Sequence, residues 1–416
     1  MKVLLIDVNC KYSSTGRIVY NLCQFLNANG HEAAVAYGRG ETIDEPGIFK
    51  FGIDSETRLH ALLARITGYN GRFSPRSTAR LLDFIEEFKP DVIHIHELHA
   101  YFVNHRELLT YIKSKHIPVV WTFHCEYMYT GKCGHAHECT RFMDSCGSCP
   151  YVHDYPKSLF FDKTAEMLAE KKQLLRDMDF SIVTPSQWLK NRTLMSFLKD
   201  KPISVIHNGI DTGFFSPVPE GPAMENLKAS HSLSNKRIIL SVAPLITTDK
   251  NKGIDTIRSV AAKALEAHPD WHFVLVGAER TENLTENVTA IEATKNASEL
   301  ALWYSLADVF FIASLRENFP TTCVEALCCG TPVAGVADSG GTAETAPAPY
   351  GIFTERTPEA LMSALDDTLT SAPDSATVSA WARNTYSVTA MCQAYLTLYT
   401  QAGPTQTFAA GVQNLK

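Results

Sequence analysis

Short apolar runs alternate with amphipathic stretches of roughly 10 to 15 residues along most of this chain, and that alternation restricts its fold more than any other feature. Val3–Val8, His31–Tyr37, Asp91–His96, Pro118–Phe123, Phe180–Thr184 and Ile203–Ile206 read as strands. Between them Ile18–Asn29, Ser77–Phe88, Arg106–His116, Lys163–Met178 and Ser186–Phe197 carry the helical period. A helix between successive strands returns the chain to the same end of the sheet, so the strands run parallel and ligands gather at their carboxyl ends.

The alternation breaks at Asp211–Asn235, where Pro217, Pro219, Gly221 and Pro222 mark a linker. It resumes with strands Arg237–Val242, His272–Val276, Val309–Ile312 and Pro332–Gly335, separated by helices Ile254–His268, Ala297–Ser305 and Thr322–Cys328. A chain of 416 residues exceeds what one hydrophobic core sustains. The expectation is an α/β protein of two Rossmann-like parallel-sheet domains facing a cleft, residues 1–210 with a cysteine-rich insert at about 125–156, and residues 211–377. The helical stretch 378–400 has no strand after it and is expected to cross back to the first domain, and 401–416 reads as a frayed tail.

Composition, 45% hydrophobic and 20% charged, excludes disordered and collagen-like classes. Residues 1–210 hold 25 Lys+Arg against 23 Asp+Glu, a net +2, and residues 211–416 hold 13 against 22, a net −9. A nucleic-acid binder carries a stronger basic excess interleaved with aromatics, so nucleic acid is not an expected partner. No run approaches the ~20 uncharged apolar residues of a spanning helix, and Asp7 ends the apolar N-terminal run too early for a signal segment. A cytoplasmic protein, at most peripheral to the inner membrane, is expected, with most of its eleven cysteines reduced.

The string Leu315–Gly341, LRENFPTTCVEALCCGTPVAGVADSGG, holds two carboxylates eight residues apart, Glu317 just beyond a strand and Glu325 on the helix that follows. Pro320 opens that helix, so the backbone N–H groups of Thr321, Thr322 and Cys323 form an anion site suited to phosphate. Carboxylates beside it are placed to accept hydrogen bonds from sugar hydroxyls. The bland alternative has Glu317 paired with Arg316 and Glu325 solvated on its helix.

Glu-x7-Glu followed by EALCCGTPVAGVADSGG resembles the signature of the retaining glycosyltransferases of family four, which have the two-domain GT-B fold. His207–Phe215 (HNGIDTGFF) is similar to the family's Asn-Gly-Val/Ile-Asp segment, and Asn251–Ile257 (NKGIDTI) to its Lys-Gly loop. The resemblance, which covers essentially residues 1–400, implies that Glu325 binds the nucleotide ribose, that Glu317 contacts the transferred sugar, and that Lys252, with Lys250 nearby, clamps the diphosphate. The resemblance implies that Lys252 and the helix terminus neutralise the leaving group, so no cofactor is expected for catalysis. One departure stands out: where the family usually has a cation in a Gly-Arg-Leu-like triplet, this chain has Ala243-Pro244-Leu245. Ser13–Arg17 takes the place of the family's glycine-rich first loop, with Gly16 as its one glycine near the donor; an ordinary strand-to-helix turn reads equally well. His124 matches the family's cleft histidine, which hydrogen-bonds the donor sugar.

His94-x-His96 shares one strand face as a metal pair would, but such strand ends are His-rich in the family without metal, so core or cleft histidines are expected. The unusual feature is Cys133-x5-Cys139-x6-Cys146-x2-Cys149, with Cys125, His135 and His137 nearby. Four thiolates ending in Cys-x2-Cys suit a structural Zn²⁺, with an iron–sulfur cluster or plain thiols as the alternatives. Cys323, Cys328 and Cys329 read as small buried hydrophobes. Arg58, Arg65, Arg72, Arg76 and Arg80 mix with Leu59, Leu62, Leu63, Ile66, Tyr69 and Phe73, which suits a lipid headgroup boundary or an ordinary surface helix with a loop.

The resulting expectation is a hexosyltransferase that moves a hexose from a nucleotide-diphosphate sugar to an oligosaccharide acceptor, lipid-linked, in bacterial exopolysaccharide or lipopolysaccharide assembly of the colanic acid kind. A nucleotide-sugar epimerase on the same fold and a non-catalytic protein built around a zinc knuckle are the competing readings.

Overall fold

Val3, Leu4, Leu5 and Ile6 are apolar on both faces of the strand they form, β1 (Lys2–Asp7), and such a strand is stable only inside a sheet covered on both sides. In the computed structural model, which describes residues 1–279, 284–294 and 296–401, β1 lies inside a seven-stranded sheet. The other strands are β2 (Glu32–Tyr37), β3 (Ile48–Lys50), β4 (Val92–Ile95), β5 (Val119–Thr122), β6 (Phe180–Thr184) and β7 (Ile203–Val205). Every pairing is parallel, in the order β3-β2-β1-β4-β5-β6-β7. Leu4, Ile6, Ile93, Ile95, Trp121 and Ile182 share one buried core.

Residues Asn208–Ala390 form a second unit with its own parallel sheet. Its strands are β8 (Arg237–Val242), β9 (Trp271–Val276), β10 (Val288–Ile291), β11 (Val309–Ile312), β12 (Val333–Val336) and β13 (Gly351–Thr354), in the order β10-β9-β8-β11-β12-β13. Successive side chains face opposite sides, so this sheet has two cores. Leu240, Val274 and Phe310 pack with Val324 and Leu327, whereas Ile239, Phe273 and Phe311 pack with Val260 and Leu361.

Three strands that hydrophobic periodicity does not mark, β3, β10 and β13, all lie at sheet edges. They are three or four residues long and mostly half-buried, so they lack the continuous apolar run of a central strand. The boundary between the units falls between His207 and Asn208, and the segment 211–235, expected to be an irregular linker, contains the helix Pro222–Ser230 with Met224 buried.

The stretch 378–400 is not one helix. Ser375–Tyr386 and Val388–Gln401 meet at Ser387, whose backbone is extended (φ −65°, ψ 150°). The break arises because Ile210 bridges Ser387: Ile210 N–H donates to Tyr386 C=O at 2.7 Å and Ile210 C=O accepts from Val388 N–H at 3.1 Å. From Met391 the chain belongs to the first unit. There the Tyr399 hydroxyl meets His94 Nδ1 at 2.5 Å and the Tyr395 hydroxyl meets Thr122 Oγ1 at 2.9 Å. Apart from Gln401, the expected tail lies outside the described residues. No described helix is long and apolar enough to cross a membrane.

Candidate functional site

In the second unit the loop after β11 carries Glu317, and its neighbours hold its backbone on two sides. Glu317 N–H donates to Ser339 C=O at 3.0 Å, and Glu317 C=O accepts from Gly341 N–H at 2.9 Å. Gly340 between them has φ +82°, and a Cβ there would lie 2.1 Å from the Glu317 carbonyl oxygen, so only glycine lets the chain after β12 come this close. On the other side Asn251 C=O accepts from Leu315 N–H at 2.7 Å, and Asn251 Nδ2 donates to Arg316 C=O at 3.0 Å. The Arg356 guanidinium donates to the Ala313 and Ser314 carbonyls at 2.5 and 2.7 Å.

The turn Lys250–Lys252 starts at Asp249, whose Oδ1 accepts from Asn251 N–H at 2.9 Å. Gly253 ends it at φ +73°, where a Cβ would stand 2.0 Å from the Ala313 carbonyl oxygen. This docking delivers Lys252 Nζ to Glu317 Oε1 at 2.8 Å, with both side chains about a fifth exposed. Glu317 therefore has Lys252 as its cationic partner, and Arg316 Nη1 stands 3.7 Å from Asp338. Glu325 is not solvated: it is 4% exposed and accepts the Tyr304 hydroxyl at 2.9 Å, among the buried Cys323, Cys328 and Cys329. Thr321 and Thr322, half-buried, open the helix Thr321–Cys328. Of the three amides expected to meet phosphate, that of Cys323 is already engaged, donating to Pro320 C=O at 3.2 Å. Lys250 is exposed in the same turn as Lys252.

In the first unit Asp7 ends β1, Glu97 follows β4, and His124 and Cys125 follow β5, so the parallel sheet gathers them at the carboxyl ends of three adjacent strands. His94 is used inside the fold, with Nε2 on Thr122 Oγ1 at 2.8 Å and Nδ1 on Tyr399. His96 Nδ1 meets His124 Nε2 at 3.0 Å, and His96 Nε2 is buried with no hydrogen-bond partner among the described residues. Burial lowers the pKa of His94, His96 and His124, which favours their neutral forms.

Two carboxyls beside these rings behave oppositely. Burial raises Glu97, but the charge and hydrogen bond of His99, with lesser contributions from His124 and the Cys125 thiol, outweigh it and bring the group down to about 2. His99 Nε2 lies 2.8 Å from Glu97 Oε2, and the Cys125 thiol donates to the same oxygen at 3.4 Å. Burial and the Glu97 charge push Asp7 up to about 7, although its Oδ1 accepts the Glu97 N–H at 3.1 Å. A charged carboxylate and a proton-holding one thus stand together, the arrangement that separates acid from base roles.

Comparison with known proteins decides the family. A Glycosyltransferase Family 4 model matches residues 15–214 and a Glycosyl transferases group 1 model matches residues 223–386. The chain belongs to the glycosyltransferases. The transferase is 26% identical over 254 residues to the putative colanic acid biosynthesis glycosyl transferase WcaC of Escherichia coli K12, a match spanning 59% of each chain. It is 24% identical over 340 residues to the alpha-monoglucosyldiacylglycerol synthase of Acholeplasma laidlawii, covering 76% of this chain and 74% of that one. Among solved structures, Anabaena HepE in complex with UDP-glucose superposes with a TM-score of 0.62 at 16% identity, over 96% of this chain and 99% of the other, which shows the shared GT-B fold. Family membership removes the non-catalytic reading.

Other expected positions of the transferase take the following places in its fold. Ser13–Arg17 is not a loop: the helix Ser13–Ala28 already begins at Ser13. The Gly16 amide donates to Ser13 Oγ at 3.2 Å, and a Cβ on Gly16 would lie 3.2 Å from the Asn9 carbonyl carbon, so this glycine lets the helix pack on the turn after β1. Two of the five arginines in Arg58–Arg80 are held by the fold, Arg72 on Glu170 at 2.8 Å and Arg80 on the Phe51 and Lys50 carbonyls at 3.1 Å each. Cys133, Cys139, Cys146 and Cys149 line a common cavity. Sequence reasoning missed Asp7, Glu97, Tyr304 and Arg356. Only Asp7 and Glu97 carried a signal, polar residues at the carboxyl ends of two apolar strands.

Proposed function

We propose that this enzyme moves a hexose from a nucleotide-diphosphate sugar to a lipid-linked oligosaccharide acceptor, with retention at the anomeric carbon, in bacterial exopolysaccharide or lipopolysaccharide assembly at the cytoplasmic face of the membrane. The ion pair Lys252–Glu317 beside the opening of the helix Thr321–Cys328 carries this reading. A diphosphate arriving there takes up the Lys252 charge and the amides of Thr321 and Thr322, and Glu317 is released to accept a sugar hydroxyl. As the glycosidic bond breaks, negative charge grows on the leaving diphosphate, so Lys252 acts most strongly in the transition state. Glu325, pre-oriented by Tyr304, holds the ribose. His124, oriented by His96, hydrogen-bonds the donor sugar, and the Asp7–Glu97 pair meets the acceptor hydroxyl.

The lipid part of the proposal is supported by a surface of the first unit. Leu59, Leu62 and Ile66 are 53%, 52% and 41% exposed on the helix Asp54–Thr67, and Phe160 and Phe161 are 71% and 53% exposed. The two segments are joined by Leu159 N–H donating to Arg65 C=O at 2.8 Å. Arg58 and Arg65 are exposed on that helix, the mix of apolar bulk and cation that suits a headgroup boundary. Relatives named for colanic acid and for a monoglucosyldiacylglycerol, a structural neighbour solved with UDP-glucose, and eleven free thiols agree with this setting. The test incubates the enzyme with a panel of nucleotide sugars and either bacterial lipid-linked acceptor extract or soluble oligosaccharide. Transfer that needs the lipid is expected. Undiminished turnover on the soluble acceptor contradicts the lipid part, and donor consumption without transfer contradicts the whole.

A further inference from the structure

The loop after β5 has little apolar material of its own, yet it is built with unusual care around four thiols. Cys133, Cys139, Cys146 and Cys149 wall a cavity of about 20 Å³, lined also by Phe142 and Thr164. Each arm is anchored. Arg192, ion-paired to the buried Glu126 at 2.8 Å, also donates to the carbonyl of Cys139. Cys146 N–H donates to Arg141 C=O at 3.0 Å, Gly147 N–H to Thr164 Oγ1 at 3.0 Å, and Cys149 N–H to Asp162 Oδ2 at 2.6 Å. Cys146, Gly147 and Ser148 have φ of +56°, +87° and +44°, so two residues with side chains are held in the left-handed region inside one Cys-x2-Cys knuckle. Strain of that kind persists only where something else fixes the turn.

A second observation is electrostatic. Lys132 is 1% exposed and Lys171 is 5% exposed, and neither meets a carboxylate among the described residues. Lys132 Nζ donates to the carbonyls of Val152, Asp154 and Pro156 at 2.7, 2.9 and 2.7 Å. Lys171 Nζ donates to those of Tyr127, Thr130 and Gly131 at 2.5, 3.0 and 3.4 Å. Glu170 is committed to Arg72 and Arg106, and Asp162 to the Cys149 and Thr164 N–H groups and the Thr164 hydroxyl, whereas the Asp154 carboxylate charge acts on Lys132 without bonding to it. Two buried ammonium groups bonded only to backbone carbonyls are expensive. Lys132 lines the thiol cavity next to Cys133 in the chain, and Lys171 bonds the carbonyl of Gly131, which also lines it.

We propose that Cys133, Cys139, Cys146 and Cys149 bind one structural Zn²⁺ as a tetrathiolate. Four thiols release four protons to the solvent as they bind Zn²⁺, and the tetrathiolate carries two negative charges, which match the two buried ammonium groups. The thiol sulfurs ring the cavity more widely than in a filled site, since among the described residues the trio whose ligand atoms all lie within 4.8 Å of one another is Glu97, His99 and Cys125. That trio is closed by its own hydrogen bonds and already charge-compensated. Binding draws the thiols in and holds the loop that follows His124.

The test is elemental analysis of the full chain purified under reducing conditions, with zinc release by a mercurial thiol reagent, and cobalt substitution read as sulfur-to-cobalt charge transfer. One zinc per chain, released as the thiols are titrated, and a tetrahedral cobalt spectrum are expected. Cys139→Ser and Cys146→Ser should each lose the metal, and Cys23→Ser should keep it. Because the cobalt spectrum is taken on the parent chain, poor folding of a variant does not decide the matter. A metal-free parent that takes up no cobalt, an iron–sulfur chromophore, disulfides found by mass, or metal retained in both loop variants would overturn the proposal.

Discussion

Lys252 and Glu317 neutralise one another at 2.8 Å, and the candidate donor chemistry depends on that pair being exchanged for phosphate and sugar. Asp7 offers a separate test at the same scale. Its carboxyl holds a proton to about pH 7 in the fold, whereas its ordinary value is 3.8. A raised folded-state pKa contributes stability that is fully present below about pH 4 and is lost as pH rises through 7, a difference on the order of 4 kcal/mol at most. Asp7→Asn keeps the acceptor oxygen and cannot ionise. Its melting temperature is expected to match the parent near pH 4 and exceed it above pH 8; an equal difference at both pH values would contradict the assignment. The second-unit residues were legible because Glu317, Glu325 and the Thr321–Thr322 helix start are local in sequence and Lys252 sits in a recognisable loop. Asp7 and Glu97 were not, and their meeting with His99 and Cys125 was hidden, because three strand ends far apart in the chain bring them together and only the sheet order makes them neighbours.

At the scale of elements, two glycines decide whether that loop geometry exists. Gly340→Ala places a methyl 2.1 Å from the Glu317 carbonyl oxygen at φ +82°. The substitution is expected to destabilise the chain by roughly 1–3 kcal/mol and to reduce transfer together with it, because the bridge that aims Glu317 must open. Urea denaturation and transfer rates measured on the same preparation check this; unchanged stability and activity would mean that the bridge is dispensable. The parallel sheets were readable from the apolar runs, since central strands are buried on both faces. The edge strands β3, β10 and β13 were not, because short half-buried strands owe their pairing to a neighbour rather than to their own pattern. The break at Ser387 was hidden for a similar reason: Ile210, distant in sequence, bridges there.

For the whole molecule, the charge is divided unevenly, +2 over residues 1–210 and −9 over residues 211–416, and the exposed apolar surface with Arg58 and Arg65 belongs to the less acidic part. The enzyme is therefore expected to bind anionic lipid vesicles through the first unit. Leu62→Glu with Phe160→Glu should weaken vesicle binding at least about tenfold, the equivalent of one lost apolar side chain, and leave the melting temperature unchanged. Binding that is undiminished in this variant would place the lipid contact elsewhere. The most direct test of the central claim follows labelled hexose from the identified nucleotide-diphosphate sugar into acceptor, in the parent and in the Glu317→Gln and Lys252→Met variants. Acceptor-dependent transfer that falls by a factor on the order of 10² to 10³ in each variant is the predicted result. Transfer that persists in both, or nucleotide release indifferent to the acceptor, would contradict the account.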